Sequence, residues 1–576
     1  MKKIIVWIVC LMALLLCAGA ALAQEETTVI ASGSCGANGD NLKWTLDSNG
    51  LLTIRGTGEM KDYDLVVDET DIDNLIVNSP WYEEREKITA IQIEDGVTSI
   101  GRYAFSECES LTAIDIPNSV TRLGENALES CPRLTRVVIP EGVTEIAGAL
   151  FSGCLKLREV VLPTSVTKIG WLAFSGCASL REITLPAGVV SVGEYAFECC
   201  TMLTTVTMQE NVASIESKAF SQCNSLRNVV VYAKDALTSI SEDDAFPQNE
   251  GMVFYGWANS ILESWATEHG FAFRKLDDLK DADGSINWNK MEKTVWLELA
   301  CVMEAGDERK LDWSVFPQTE GLSLQWSSSA PEIVRVDENG VVTALKNGTA
   351  TVSLTVAGKT VTCEVFVGEY LDGGMCGNDV IWKLTQDGAL TISGTGPMYD
   401  FEYYGSNFWS VESDRIAITS VQIEDGVTRI GNNAFGTCVN METVDIPDSV
   451  TSIGDDSFSG CESLKTINIP NGVTRIGERA FCFCTGLTAI NLPDSVTRIE
   501  YLAFDNCTSL KTINIPDGVT SIEHGLFSEC ESLTTIHLPN SVTSIDQEAF
   551  FGCKSLTTIN IPNGVTSIGG SAFWNC

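Results

Sequence analysis

The chain has 576 residues, 44% of them hydrophobic, enough for several domains around an extended core. Its 37 Lys and Arg stand against 77 Asp and Glu, a net charge of −40. That balance excludes a nucleic-acid binder, because phosphate contacts need clustered cations, and it fits a soluble protein kept apart from its neighbours by self-repulsion.

The first 23 residues read as a targeting segment. Lys2 and Lys3 supply positive charge, an apolar run comes next, and Ala21-Leu22-Ala23 forms an A-x-A cleavage site before Gln24. No second apolar run is long enough to span a bilayer, so the mature chain is expected to be secreted or surface-held. Residues 24–90 carry LKWTLDSNGLLTIRG, whose alternation predicts a β-hairpin across Ser48-Asn49-Gly50. Residues 369–420 repeat the same features, a Cys-Gly, a Trp and a G-x-L-T-I-x-G-T-G-x-M run. Each segment is expected to cover the open end of a stack of repeats.

The repeats are strictly periodic. Cysteines fall every 23 residues from Cys108 to Cys223 and again from Cys438 to Cys576. A phenylalanine precedes nearly every one by three residues, with Leu128 the single substitute. A fixed period of this length predicts a solenoid, here in two blocks at 91–251 and 421–576. In Leu556–Pro562 (LTTINIP), Leu556, Ile559 and Ile561 should face inward and Thr558 and Asn560 outward. The A-F-x-x-C segment reads as one short helical or 3-10 turn.

Residues 252–277 hold an apolar strand, an amphipathic helix and a strand, a closing cap. An acidic linker is expected at 278–290. Residues 291–368 lose the period and show short alternating strands with Gly-containing turns, which predicts a β-sandwich with Trp326 in its core. The chain stops at Cys576 in mid-unit, so the second block is expected to continue beyond it.

The unit V-T-x-I-x-x-x-A-F-x-x-C-x-x-L-x-x-I-x-I-P resembles the BspA-type bacterial leucine-rich repeat. The run W-S-S-S-x-P-E-I-V-x-V-D-x-N-G-V-V-T-A-L-K-N-G-T-A-T-V resembles a group 2 bacterial immunoglobulin-like (BIG2) domain, a module that usually acts as a spacer. The resemblance implies a mainly-β repeat solenoid in two blocks around an all-β sandwich. It also implies a non-catalytic bacterial surface protein that adheres to host matrix proteins, cells or glycans.

The residues themselves offer little chemistry. The three histidines, His269, His524 and His537, join no metalloprotease, hydrolase or nucleotide-binding motif, so no enzyme, metal or cofactor is expected. The ladder cysteines read as small apolar core residues. Cys301 and Cys363, which flank the sandwich, are a candidate disulfide in a secreted context. The candidate ligand site is an outward stripe of the second block: Thr466, Asn468, Asn491, Thr512, Asn514, Thr535, His537, Thr558 and Asn560. The same places in the first block are mixed: Ala113/Asp115, Arg136/Val138, Glu159/Val161, Glu182/Thr184 and Thr205/Thr207. Two readings stay open. The stripe is either a recognition face for an extracellular protein or glycan, or a set of neutral, soluble fillers. Near-identical coils would bind a repetitive ligand with avidity.

Overall fold

The computed structural model describes residues 27–67, 75–241, 244–249, 251–291, 293–317, 322–401 and 417–576. The targeting segment 1–23 lies outside them. The chain divides into two compact units, Met1–Phe174 with Pro186–Ala196, and Ser175–Leu185 with Phe197–Cys576.

In the first unit the strands Val29–Gly36, Gly39–Asp47 and Leu51–Gly56 form an antiparallel cap. The hairpin turns at Gly50, whose φ of +82° and 2.4 Å approach of a built Cβ to the Lys87 carbonyl admit only glycine. Leu51–Gly56 then pairs in parallel with Ala90–Ile93, and the coil strands Ala113–Asp115, Arg136–Val138 and Glu159–Val161 continue the sheet. Trp81 ties the cap to the repeats. It is buried, stacks 5.4 Å from Phe105, and donates Nε1–H to the Ala104 carbonyl at 2.7 Å. It thus occupies the aromatic position that Phe holds in later coils.

The second unit begins with the strands Glu182–Leu185, Thr205–Met208 and Asn228–Val231, stacked in parallel at a 23-residue register. Phe246 extends the aromatic stack past Phe220 at 4.9 Å, and Phe254 and Trp265 close over it. Trp265 sits on the helix Ile261–Glu268, whose first turn is capped by the Ser260 Oγ accepting from the Glu263 N–H at 3.2 Å. This is the closing strand–helix–strand, with the last strand at Ala272–Lys275. Residues 278–290 are folded rather than extended. Leu279 is buried, Lys280 bridges to Ile286, and Trp288–Lys290 forms a 3-10 turn.

The immunoglobulin-like module carries a four-stranded sheet (Ala300–Met303, Lys359–Val367, Gly348–Val356, Leu324–Ser328) against a three-stranded one (Glu308–Lys310, Val341–Ala344, Val334–Val336). Its core is aliphatic: Val334, Val342, Val352, Leu354 and Val365 are fully buried. Trp326, expected at the centre, instead lies partly buried at the rim, edge-on to Trp313 at 6.3 Å. Its indole packs against Gly340, where the chain turns.

The second block stacks Phe435, Phe458, Phe481, Phe504, Phe527, Phe550 and Phe573 at 5.3–5.7 Å. All but the last are fully buried, each contributing about 1.5–3 kcal/mol of transfer free energy. The A-F-x-x-C segment forms a pair of tight turns rather than a regular helix. Residues five before and one before each cysteine are left-handed, for example Asp456 (φ 50°) and Gly460 (φ 72°). Side chains there cost roughly 1–2 kcal/mol each. The conformation aims alternate N–H groups at the next coil: Asp456, Phe458 and Gly460 donate to Glu478, Ala480 and Cys482 at 2.7–2.9 Å. The cysteine completes the turn. Cys461, Cys484, Cys507, Cys530 and Cys553 each donate Sγ–H to the carbonyl of the phenylalanine 26 residues earlier, at 3.1–3.2 Å. Burial pushes the Cys484 thiol up to about 12, so it stays protonated and able to donate.

Candidate functional site

Strand alternation decides which residues reach solvent in the second block. Ile467, Ile490, Ile513 and Ile536 point into the core, and their neighbours on both sides point out. The register aligns Thr466, Ala489, Thr512 and Thr535 in one column. Asn468 pairs with Asn491, Asn514 with His537, and His537 with Asn560 in a second column. Strands about 4.8 Å apart therefore repeat a hydroxyl and an amide from coil to coil. Thr558 and Asn560 extend the two columns and are exposed, while Ile561 on the outermost coil is 38% exposed.

All nine expected residues thus share one exposed sheet face, whose two columns carry no Asp, Glu, Lys or Arg from Thr466 to Asn560, although Asp445 stands one coil before Asn468. Charge is displaced to the opposite sheet, where Arg475 bonds Asp455 at 2.8 Å and Glu500 at 3.0 Å, and Arg498 bonds Glu500 at 2.7 Å. One member differs from the rest. The Asn514 amide donates to the Leu492 carbonyl at 2.7 Å and its Oδ1 accepts from the Leu492 N–H at 3.0 Å. It completes the ladder between two coils, a role that its place in the pattern did not announce.

The repeat geometry is matched by the known family. A model of the BspA type leucine-rich repeat region matches residues 76–172, 144–250, 413–530 and 455–576, more than half of the chain. The chain belongs to this family. A bacterial Ig-like domain matches residues 325–368, between the two BspA-type blocks. Among solved structures, a leucine-rich repeat protein of Eubacterium ventriosum is 18% identical, with 95% of each chain covered and a TM-score of 0.33. A leucine rich cell surface protein of Faecalibacterium prausnitzii is 20% identical, covering 84% of this chain and 94% of that one, at a TM-score of 0.25. A leucine-rich repeat protein of T. pallidum is 24% identical over 34% of this chain and 85% of its own, at 0.24. No curated relative matches.

The first BspA-type block treats its sheet face differently. Val138 and Val161 are exposed there, beside an Arg136–Glu159 ion pair at 2.9 Å. In the last coils of that block, Thr205, Asn228 and Val230 are buried. Val230 and its register partner Tyr255 lie beneath Leu276, Leu279, Trp288 and Phe316.

Among the described residues, no group of three or more His, Cys, Asp or Glu converges as metal donors, and no helix is long and apolar enough to cross a membrane. Cys301 and Cys363 sit in the core of the Ig-like module as free thiols, each at most 1% exposed. They occupy neighbouring parallel strands, but Cys301 pairs with Val365, so Cys363 is its diagonal neighbour. The two thiols are close: a hydrogen bond with Cys301 is the main cause that holds the Cys363 thiol well above its ordinary range, with burial adding to it.

Proposed function

We propose that the protein is a secreted or cell-surface, non-catalytic binding protein that adheres to an extracellular protein or glycan through the exposed sheet of its second block. The observation that carries this reading is the uncharged double column from Thr466/Asn468 to Thr558/Asn560, open to solvent on every coil. Hydroxyls and amides held on a stacked sheet lose little side-chain freedom on binding, and their repetition favours a repetitive ligand. The first 23 residues, with their A-x-A site, support export. A scaffold role is the second reading, favoured by Asn514, whose amide is already taken by the neighbouring coil.

A binding screen separates the two. The mature chain is tested on immobilised matrix proteins, mucins and a glycan array beside a variant with Asn468→Lys, Asn491→Lys and Asn560→Lys, which spares Asn514. Saturable binding that the variant loses supports the recognition face. Binding to none of these surfaces, or binding that the triple variant keeps, overturns it and leaves the scaffold.

A further inference from the structure

The later coils of the first block are marked in sequence by arginine. The residue four after the ladder cysteine is Arg158, Arg181 and Arg227 in three of its coils and threonine in the others, but Glu442, Lys465, Thr488, Lys511, Thr534 and Thr557 in the second block. In the second unit, two of the arginine-bearing turns meet downstream parts of the chain. The Arg181 guanidinium lies 3.5 Å over the ring of Trp296, at the start of the Ig-like module. Beside Arg227, the Ser225 Oγ donates to Asn378 Oδ1 at 2.8 Å and sits 3.1 Å from the Tyr399 hydroxyl. Tyr399 donates in turn to Asn378 Oδ1 at 3.2 Å, closing a triad across 174 residues of chain. Asn378 and Tyr399 belong to the cap of the second block, and Tyr399 is only 4% exposed. On the sheet face of the same coils, Tyr255 packs against Trp288 at 5.9 Å and Phe316 at 5.4 Å, and Phe316 ends the module strand Trp313–Phe316.

Three contacts of different chemistry therefore converge on one set of coils: a cation–π pair, a hydroxyl–amide triad around the buried Tyr399 and an aromatic–aliphatic cluster. Inter-domain contacts in a chain of beads are few and polar, and relative motion is the default. Here the buried Tyr399 hydroxyl and Asn378 Oδ1 each bond Ser225 on the coils, and those hydrogen bonds across the two parts are lost if the parts separate. We propose that the last coils of the first block are an intrachain docking site that clamps the Ig-like module and the cap of the second block. The module is then a wedge rather than a swivelling spacer, and the Thr/Asn columns are held in one direction relative to those coils. The inference goes beyond the adhesive reading and does not depend on what the columns bind.

The test uses the full mature chain in small-angle X-ray scattering. Wild type is expected to give one radius of gyration and one maximum dimension from low to high salt. Ser225→Arg places a long cation against Arg181, Arg227 and the triad and is expected to raise the radius of gyration by about a tenth, as freed domains separate. Asn378→Arg breaks the same triad from the other side and is expected to do the same, which covers the case where Ser225→Arg perturbs its own coil. Ser532→Arg, at the equivalent turn of the second block, is the control and is expected to leave the dimensions unchanged. A wild-type profile that broadens as a flexible ensemble, or unchanged dimensions in both Ser225→Arg and Asn378→Arg with the far-ultraviolet spectrum intact, overturns the proposal.

Discussion

The two blocks are built from one unit, yet their outward columns have gone in opposite directions. In the first block, outward positions mix charged, aliphatic and Thr residues, and over the last coils they become Asn228, Val230 and Tyr255, all buried, with Val230 and Tyr255 clustered with the chain's own next segments. In the second block the same positions from Thr466 to Asn560 are Thr, Asn, Ala and one His, all exposed, after a first coil that carries Thr443 and Asp445. The inward positions differ less, since Phe, Cys, Leu and Ile fill most of them, with Val137, Val206 and Val229 standing in the first block where later coils of the second have Ile. Interior positions answer to packing density, which tolerates little change in volume, whereas outward positions answer only to what covers them. Val230 and Tyr255 lie where the chain covers the face, whereas Asn468, Asn491 and Asn560 lie where it stays open.

The comparison can be broken first at its shared part. Phe481→Ala removes a ring stacked on both sides, at 5.4 Å and 5.5 Å, and is expected to cost about 3–5 kcal/mol in chemical denaturation of the second block. A loss below about 1 kcal/mol would show that adjacent coils close over the cavity. The cysteine ladder is the next test. Cys507→Val keeps shape but removes the donor to the Phe481 carbonyl, and is expected to cost about 1–3 kcal/mol. Cys507→Ser, which keeps a donor, should lose less. Equal losses would return the cysteines to plain apolar filler.

The outward columns are sharpened by smaller effects. Asn514→Ala leaves the Leu492 N–H and carbonyl without the amide that clasps them, an expected loss of about 1–2 kcal/mol. Asn468→Ala and Asn491→Ala should lie within about 0.5 kcal/mol of wild type, because nothing in the fold depends on them. Thermal melts of the three variants, made side by side, check the ordering. At the bottom of the scale, Arg136→Ala in the first block breaks an ion pair whose members are both more than half exposed. It is expected to change stability by less than about 1 kcal/mol, and by less again in high salt.

Much of the fold was legible in residue order. The period, the inward Ile and Leu, the hairpin at Gly50 and the closing strand–helix–strand all depend on contacts within a coil or between neighbouring coils. A repeated sequence prints such contacts many times over. The left-handed residues of the A-F-x-x-C turn were not legible, because Asp456, Arg479 and Leu502 occupy a conformation that their side chains disfavour and that only the inter-coil hydrogen bonds enforce. Trp326 was placed at a core centre and lies at the rim, because the short strands of the module fill its centre with Val and Leu. The candidate stripe was legible as a face, since alternation alone separates Thr466 and Asn468 from Ile467. Its internal difference, Asn514 clasped and its neighbours free of the backbone ladder, was not.

The sequence by itself determined the coil: its length, its buried letters, its caps and its outward columns. Those arise from a 23-residue period acting through local hydrogen bonds and side-chain alternation. The tertiary structure alone decided which outward columns are covered. Ser225 meets Asn378 across 153 residues, and Tyr255 meets Trp288 and Phe316, through pairings that no period encodes. Such contacts arise where one folded surface closes on another, so their partners are set by shape and burial rather than by spacing along the chain.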